Sequence, residues 1–139
     1  MDRHDFEQML IRHEGTRLKP YIDSVGKITI GFGTNLEDGI TREEALWLMR
    51  SRVATIEREM ISRFPVYKTL DPVRQYVLLD MAYNMGVPTL AKFKRMWAAL
   101  EDGNYDLASE EMLDSRWAWQ VGSRARELAR MMASGKEHP

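Results

Sequence analysis

No cysteine occurs among the 139 residues, which removes thiol nucleophiles, thiolate metal sites and disulfides together and leaves the fold indifferent to its redox compartment. Charge of one sign is equally lacking: 20 Lys and Arg stand against 21 Asp and Glu, a formal net charge of -1. That balance carries no overall electrostatic footprint for nucleic acid or an anionic membrane, so any polyanion partner has to be read locally. No apolar run reaches membrane-spanning length, and residues 1 to 14, with Asp2, Asp5, Glu7 and Glu14, cannot supply the apolar core of a signal peptide. The expectation is a chain without an export address of its own. Repeats, low-complexity tracts and flexible linkers are absent too. What is present, 44% hydrophobic and 29% charged residues, sits near globular averages in a length suited to one domain with its own core.

Glycine and proline, scarce at nine and five, punctuate the chain. Asp2 caps a helix carrying Phe6, Met9, Leu10 and His13 at helical spacing, which should end at Glu14 before Gly15. From Leu18 to Gly33 strand formers (Tyr21, Ile22, Ile28, Thr29, Ile30, Phe32) flank the turn-like segment Asp23-Ser24-Val25-Gly26-Lys27, which predicts a β-hairpin. Thr41 with Glu44 forms a capping box, and Leu46, Met49, Val53, Ile56 and Met60 alternate steps of three and four up to Phe64-Pro65, one long amphipathic helix. Asp71-Pro72 opens another, with Val73, Val77, Met81 and Met85 on one stripe and Gly86 beyond the end. Further helices are expected over Phe93 to Leu100, Leu107 to Leu113, and Ser123 to Ser134 before Gly135. The fold class is therefore α+β, one small hairpin region and helices elsewhere.

Several chemistries are excluded by spacing. His13-Glu14 resembles the start of a zincin motif, but the second histidine belongs four residues after the first, where Arg17 stands. Gly31-Phe32-Gly33 fits a dinucleotide loop only until the third glycine position, which is Leu36, and no βαβ unit surrounds it. No serine occupies a Gly-x-Ser-x-Gly elbow. Neither metal nor cofactor is expected.

A carboxylate pair remains: Glu14 at a helix end and Asp23 at the hairpin turn, with the hydroxyl of Thr29 on the returning strand. A three-residue turn is expected to bring Asp23 and Thr29 directly opposite each other, on one face. A carboxylate and hydroxyl so placed can hold a water, while a carboxyl at a partly desolvated helix end can keep its proton. Two carboxyl groups in different environments are the apparatus of glycoside hydrolysis. By spacing alone, a solvated Glu and a turn Asp are the favoured reading, because surface carboxylates are plentiful.

Read as a string, Glu14-Gly15-Thr16-Arg17-Leu18-Lys19-Pro20-Tyr21-Ile22-Asp23 with Gly26-Lys27-Ile28-Thr29-Ile30-Gly31-Phe32-Gly33 resembles the catalytic segment of phage-type lysozymes. The similarity continues, in order, through Ile40-Thr41-Arg42-Glu43-Glu44-Ala45, Tyr83-Asn84-Met85-Gly86, Ser115-Arg116-Trp117 and Arg124-Ala125. The resemblance implies a monomeric enzyme cutting the β-1,4 bond between N-acetylmuramic acid and N-acetylglucosamine in bacterial peptidoglycan. It implies a single lysozyme-like domain over residues 1–139: a small β lobe at 15–40, a connecting helix at 41–64, and a helical lobe from 1–14 and 65–139, with a cleft between the lobes. Carried over by position, Glu14 resembles the general acid, Asp23 the carboxylate that orients water, and Thr29 its partner. Phe32, Tyr83 and Asn84 are the candidates for substrate contact, although Asn84 fits helix termination as well, and Arg124 matches a family arginine lying near the acid and tuning it. The implied setting is host cytoplasm until a pore-forming protein gives access to the wall.

Two departures stand out. Where the family often has His after Gly-x-Gly, this chain has Thr34, and only Thr34 to Gly39 separate Gly33 from Ile40, shorter than in larger members. Trp47, Trp97, Trp117 and Trp119 are read as core rather than as sugar platforms, Trp117 at a position buried in the family. Arg126 and Arg130 are read as a solvated helix face, and the ten methionines as fillers of core gaps. Two other activities fit the same resemblance, a non-catalytic peptidoglycan-binding module and a lytic transglycosylase. A helical DNA-binding protein using its Arg-rich last helix is disfavoured by the net charge.

Overall fold

The computed structural model describes residues 1–137; the last two positions of the segment read as helical lobe lie outside the described residues. The chain divides into two compact units, Met1–Trp47 and Leu48–Pro139.

In the first unit, α1 spans Arg3–Glu14. Asp2 caps it, its side chain accepting from the Asp5 N–H while the Asp5 carboxylate reaches back to the Asp2 N–H, so two orphan donors at the helix start are satisfied reciprocally. Gly15 ends it at φ 74°. The strands β1 (Arg17–Ile22), β2 (Ile28–Gly31) and β3 (Thr34–Asn35) form an antiparallel sheet in that order, so the expected hairpin gains a short third strand. The β1–β2 ladder is irregular between Arg17 and Tyr21. Pro20 lies in that stretch of the edge strand, and proline has no N–H to give the ladder.

The register corrects one expectation. Tyr21 pairs with Thr29 and Ile22 with Ile28, and the Asp23 N–H donates to the Lys27 carbonyl at 2.9 Å, so the three-residue turn Ser24-Val25-Gly26 sets Asp23 opposite Lys27. Thr29 stands two residues further along. The strand period of two still leaves both side chains on one face of the sheet, as a diagonal pair rather than a direct one.

A short 3-10 turn, Leu36–Asp38, leads toward α2 (Arg42–Arg63), and the boundary between the units falls within that helix. The capping box at its start is formed: the Glu44 N–H donates to Thr41 Oγ1 at 3.1 Å and the Thr41 N–H to Glu44 Oε1 at 2.8 Å. The two Thr41 bonds, backbone first, hold the Glu44 carboxyl below its usual range.

The second unit holds the apolar core. After a 3-10 segment, Pro65–Thr69, come α3 (Pro72–Met85), α4 (Val87–Leu90), α5 (Lys94–Glu101), α6 (Tyr105–Leu113), α7 (Arg116–Val121) and α8 (Ser123–Ser134). The α3 stripe closes inward through Val77 and Met81, and Met60, Met96, Met112 and Met132 are fully buried, as expected of flexible apolar side chains filling irregular gaps, whereas Met1 and Met49 are exposed and the core reading fails for them. Trp97 and Trp117 are buried, whereas Trp47 and Trp119 are exposed, Trp119 at 88%; the core reading fails for those two. Trp97 stacks on Phe64, ring centroids 4.0 Å apart, and its indole N–H donates to the Leu90 carbonyl.

Arg74 ties α3 to the end of α8. Its Nε donates to the Met132 carbonyl at 2.7 Å and its Nη2 to the Ala133 carbonyl at 3.0 Å. Nη1 donates to the Asp71 carboxylate at 2.9 Å, and the guanidinium lies 3.6 Å from the centroid of the Tyr105 ring. A cation at a helix C-terminus answers both the unpaired carbonyls and the negative end of the dipole. Gly135 follows α8 at φ 70°, and a β-carbon there would fall 2.9 Å from Arg74 Nη1.

Candidate active site

Asp23 is fixed by the hairpin that it opens. Its Oδ1 accepts two backbone donors, the Val25 N–H at 3.0 Å and the Lys27 N–H at 2.8 Å. This is an Asx-type turn, in which a short acidic side chain satisfies the backbone of the loop it initiates. One carboxylate oxygen is thereby spent on structure. Oδ2 is left facing Thr29, whose Oγ1 lies 3.5 Å away.

Thr29 is 3% exposed, the one buried polar side chain among the described residues. Its hydroxyl has a single proton, and the better acceptor for it is the Lys27 carbonyl at 3.0 Å. With the proton so placed, the lone pairs of Oγ1 turn toward Asp23 Oδ2, and two acceptors converge. A water donating one proton to each keeps its own lone pairs directed outward. Two convergent acceptors are what a general base needs to hold a water, and this is the chemistry the pair is equipped for.

Glu14 is the last residue of α1 and is exposed. Among the described residues no hydrogen bond or ion pair holds its carboxyl. Instead the group rests against the β2–β3 turn: a β-carbon at Gly33 would stand 2.5 Å from Glu14 Oε2 and 2.9 Å from Cδ. Phe32, in the same turn, is exposed. The sequence assigns Gly33 no role of its own; it stands in the Gly31-Phe32-Gly33 segment that fails as a dinucleotide loop and that closes the string resembling phage-type lysozymes.

Tyr83, Asn84 and Arg124 belong to the second unit. Tyr83 and Asn84 are exposed near the end of α3. The Asn84 side-chain carbonyl accepts from the Trp117 indole N–H at 2.8 Å, which leaves the amide NH2 free and shows that helix termination falls to Gly86, not Asn84. Arg124 is held by Asp80: Nε and Nη2 both donate to its Oδ1, at 2.8 and 2.7 Å. Asp80 as this partner was not foreseen. Arg126 and Arg130 are exposed.

A cavity of about 510 Å³ in the second unit, walled by Phe93, Met96, Glu111, Arg116 and Trp117, contains none of the carboxylates discussed above. A second cavity of about 700 Å³, lined by Leu113, Trp119 and Arg126, contains none of them either, so the paired acceptors of Asp23 and Thr29 lie outside both cavities. No group of three or more His, Asp and Glu placed to hold a metal ion occurs among the described residues. No described helix is long and apolar enough to cross a membrane.

Residues 11–133 match the family model of phage lysozymes. The chain is 31% identical to the pre-baseplate central spike protein Gp5 of Enterobacteria phage T4, over 92% of its own length and 27% of that protein. It is 26% identical to a probable T4-type lysozyme of Dictyostelium discoideum, over 93% of its length and 94% of the relative. An endolysin of Acyrthosiphon pisum secondary endosymbiont phage 1 is 29% identical over 79% of the chain and 75% of the endolysin. The chain thus spans about a quarter of the spike protein and nearly all of the Dictyostelium lysozyme. With a small antiparallel sheet and a mostly helical remainder, and a family match running from the end of α1 almost to the end of α8, the chain belongs to the phage lysozyme family, that of muramidase-type glycoside hydrolases acting on peptidoglycan.

Proposed function

We propose that this protein hydrolyses the β-1,4 bond between N-acetylmuramic acid and N-acetylglucosamine in peptidoglycan, with inversion at the anomeric carbon. Glu14 donates its proton to the glycosidic oxygen as the bond to the leaving sugar breaks. A water held between Asp23 Oδ2 and Thr29 Oγ1 gives its oxygen to the anomeric carbon and its proton to Asp23.

The observation that carries this reading is the division of labour within Asp23. Its Oδ1 is saturated by two backbone N–H groups, so the carboxylate is anchored, and Oδ2 has only Thr29 beside it. An anchored carboxylate with a neighbouring acceptor suits positioning a water better than advancing on a sugar as nucleophile.

Phe32, Tyr83 and Asn84 are proposed to contact substrate. The aromatic rings offer faces to sugar rings, and the free amide of Asn84 offers donors to an acetamido carbonyl. Arg124 carries the acid-tuning role by its match to the family arginine, with Asp80 as the residue that orients it. Mass spectrometry of fragments released from purified peptidoglycan tests the reaction: reducing-end muramic acid is expected. An anhydro-muramic end, lighter by one water, makes the protein a lytic transglycosylase, and binding without cleavage makes it a glycan-binding module.

A further inference from the structure

We propose that Gly33 is a positioning residue for the general acid, its missing side chain forming the seat that the Glu14 carboxyl occupies. The inference rests on the reading of Glu14 as that acid.

Three glycines at positive φ lie between α1 and β3: Gly15 at 74°, Gly31 at 71° and Gly33 at 84°. All three need glycine for backbone reasons. Only at Gly33 is the absent β-carbon also a matter of space. A β-carbon at Gly15 or Gly31 meets nothing within 4 Å, whereas at Gly33 it falls 2.5, 2.9 and 3.3 Å from Oε2, Cδ and Cγ of Glu14. The carboxyl therefore occupies the space that a side chain at position 33 would take, and any other residue there would push it away.

Asp23 is fixed by two backbone N–H donors. Glu14 has no hydrogen bond or ion pair among the described residues, and the turn restrains it through contact alone. That contact closes the directions on the Gly33 side to the carboxyl.

The test compares Gly33→Ala with Gly31→Ala in the full chain, because both add a β-carbon at positive φ in one turn and only the first reaches Glu14. Gly33→Ala is expected to lower kcat on soluble peptidoglycan fragments about hundredfold, with KM little changed, since a displacement on the order of 1 Å costs that much. Gly31→Ala should stay within about threefold, having strain but no misplaced acid. With ¹³C-labelled glutamate, the Glu14 carboxyl resonance should move in the first variant and not in the second. Gly33→Ala and Gly31→Ala should lower the thermal midpoint by similar amounts, since strain at positive φ is common to both and an exposed carboxyl without bonds moves aside cheaply. Equal kcat losses at positions 31 and 33, or a Glu14 resonance that stays in place in Gly33→Ala, overturns the proposal. Retained activity in Glu14→Gln instead removes the acid assignment and the positioning role with it, while loss in Glu14→Gln with no excess loss at position 33 overturns the positioning role alone.

Discussion

Replacing Arg74 by methionine keeps most of the aliphatic stem and removes the guanidinium, which touches the start of α3, α6 and the end of α8 at once. Four interactions go: two bonds to the carbonyls of Met132 and Ala133, one to Asp71, and the contact with the Tyr105 ring. The Arg74 side chain is 13% exposed and Asp71 36%. Hydrogen bonds to a charged group are each worth about 1.5 to 3 kcal/mol when one partner is lost, and a cation–π contact about 0.5 to 2. Discounting the solvated Asp71 arm, and allowing for overlap among bonds from one group, leaves about 3 to 4 kcal/mol. For a domain of this size that is a midpoint lower by roughly 10 to 20 °C.

The same variant carries a pH signature. Burial pushes the Asp71 carboxyl up, but the Arg74 side-chain bond, the Arg74 N–H and the guanidinium charge outweigh it and hold the group below its usual range. A depressed carboxyl contributes stability that is present above its unfolded value, about 3.9, and lost as pH falls through the folded one. Calorimetry of wild type and Arg74→Met should therefore show the widest gap near neutrality and a narrower one in acid. A gap under about 1 kcal/mol at neutral pH, or one indifferent to acid, refutes this account of Arg74.

Glu14→Gln should fold normally and lose at least about a hundredfold in wall-clearing rate, because an amide cannot deliver the proton; near-normal turbidity clearance by the folded variant removes the assignment. Asp23→Asn retains an oxygen for the Val25 and Lys27 N–H groups and puts a donor where Oδ2 was, so the midpoint should hardly move while activity falls about a hundredfold or more. If hairpin stability and activity fall together, Asp23 is only a turn residue. Proton NMR of the first product, read before mutarotation, should show the α-anomer; an initial β-product makes Asp23 a nucleophile, a geometry that needs carboxyl groups about 5 to 5.5 Å apart rather than about 6.5 to 9.5 Å.

The caps and stops were the most legible features. Asp2, Thr41 with Glu44, and Asp71-Pro72 are local signals whose hydrogen bonds close within three residues, and all formed as read. The helix α7 was missed because six residues are too few for a periodic pattern, and its Trp119 points to solvent, which composition cannot convey. Asp23 and Thr29 were legible as neighbours on one face, but their pairing was misplaced by two residues, since face depends on parity and register on the count of turn residues. Gly33 was legible as part of the family string but not as a neighbour of Glu14, and Asp80 was not legible at all. Their meaning lies in contacts 19 and 44 residues away along the chain, where no local period reaches.

Thr29 is the only buried residue in Met1–Trp47, whereas the segment after it holds the whole apolar core. Resistance to opening follows buried apolar contact, so backbone amides in the strands should exchange with solvent deuterium far sooner than those of α3 and α8. Glu14, Asp23 and Thr29 all sit in the weaker segment. Warming should then extinguish bacteriolysis reversibly, at temperatures where the calorimetric transition has not begun, so that a lifetime of activity and a lifetime of the fold become two separate numbers for this enzyme.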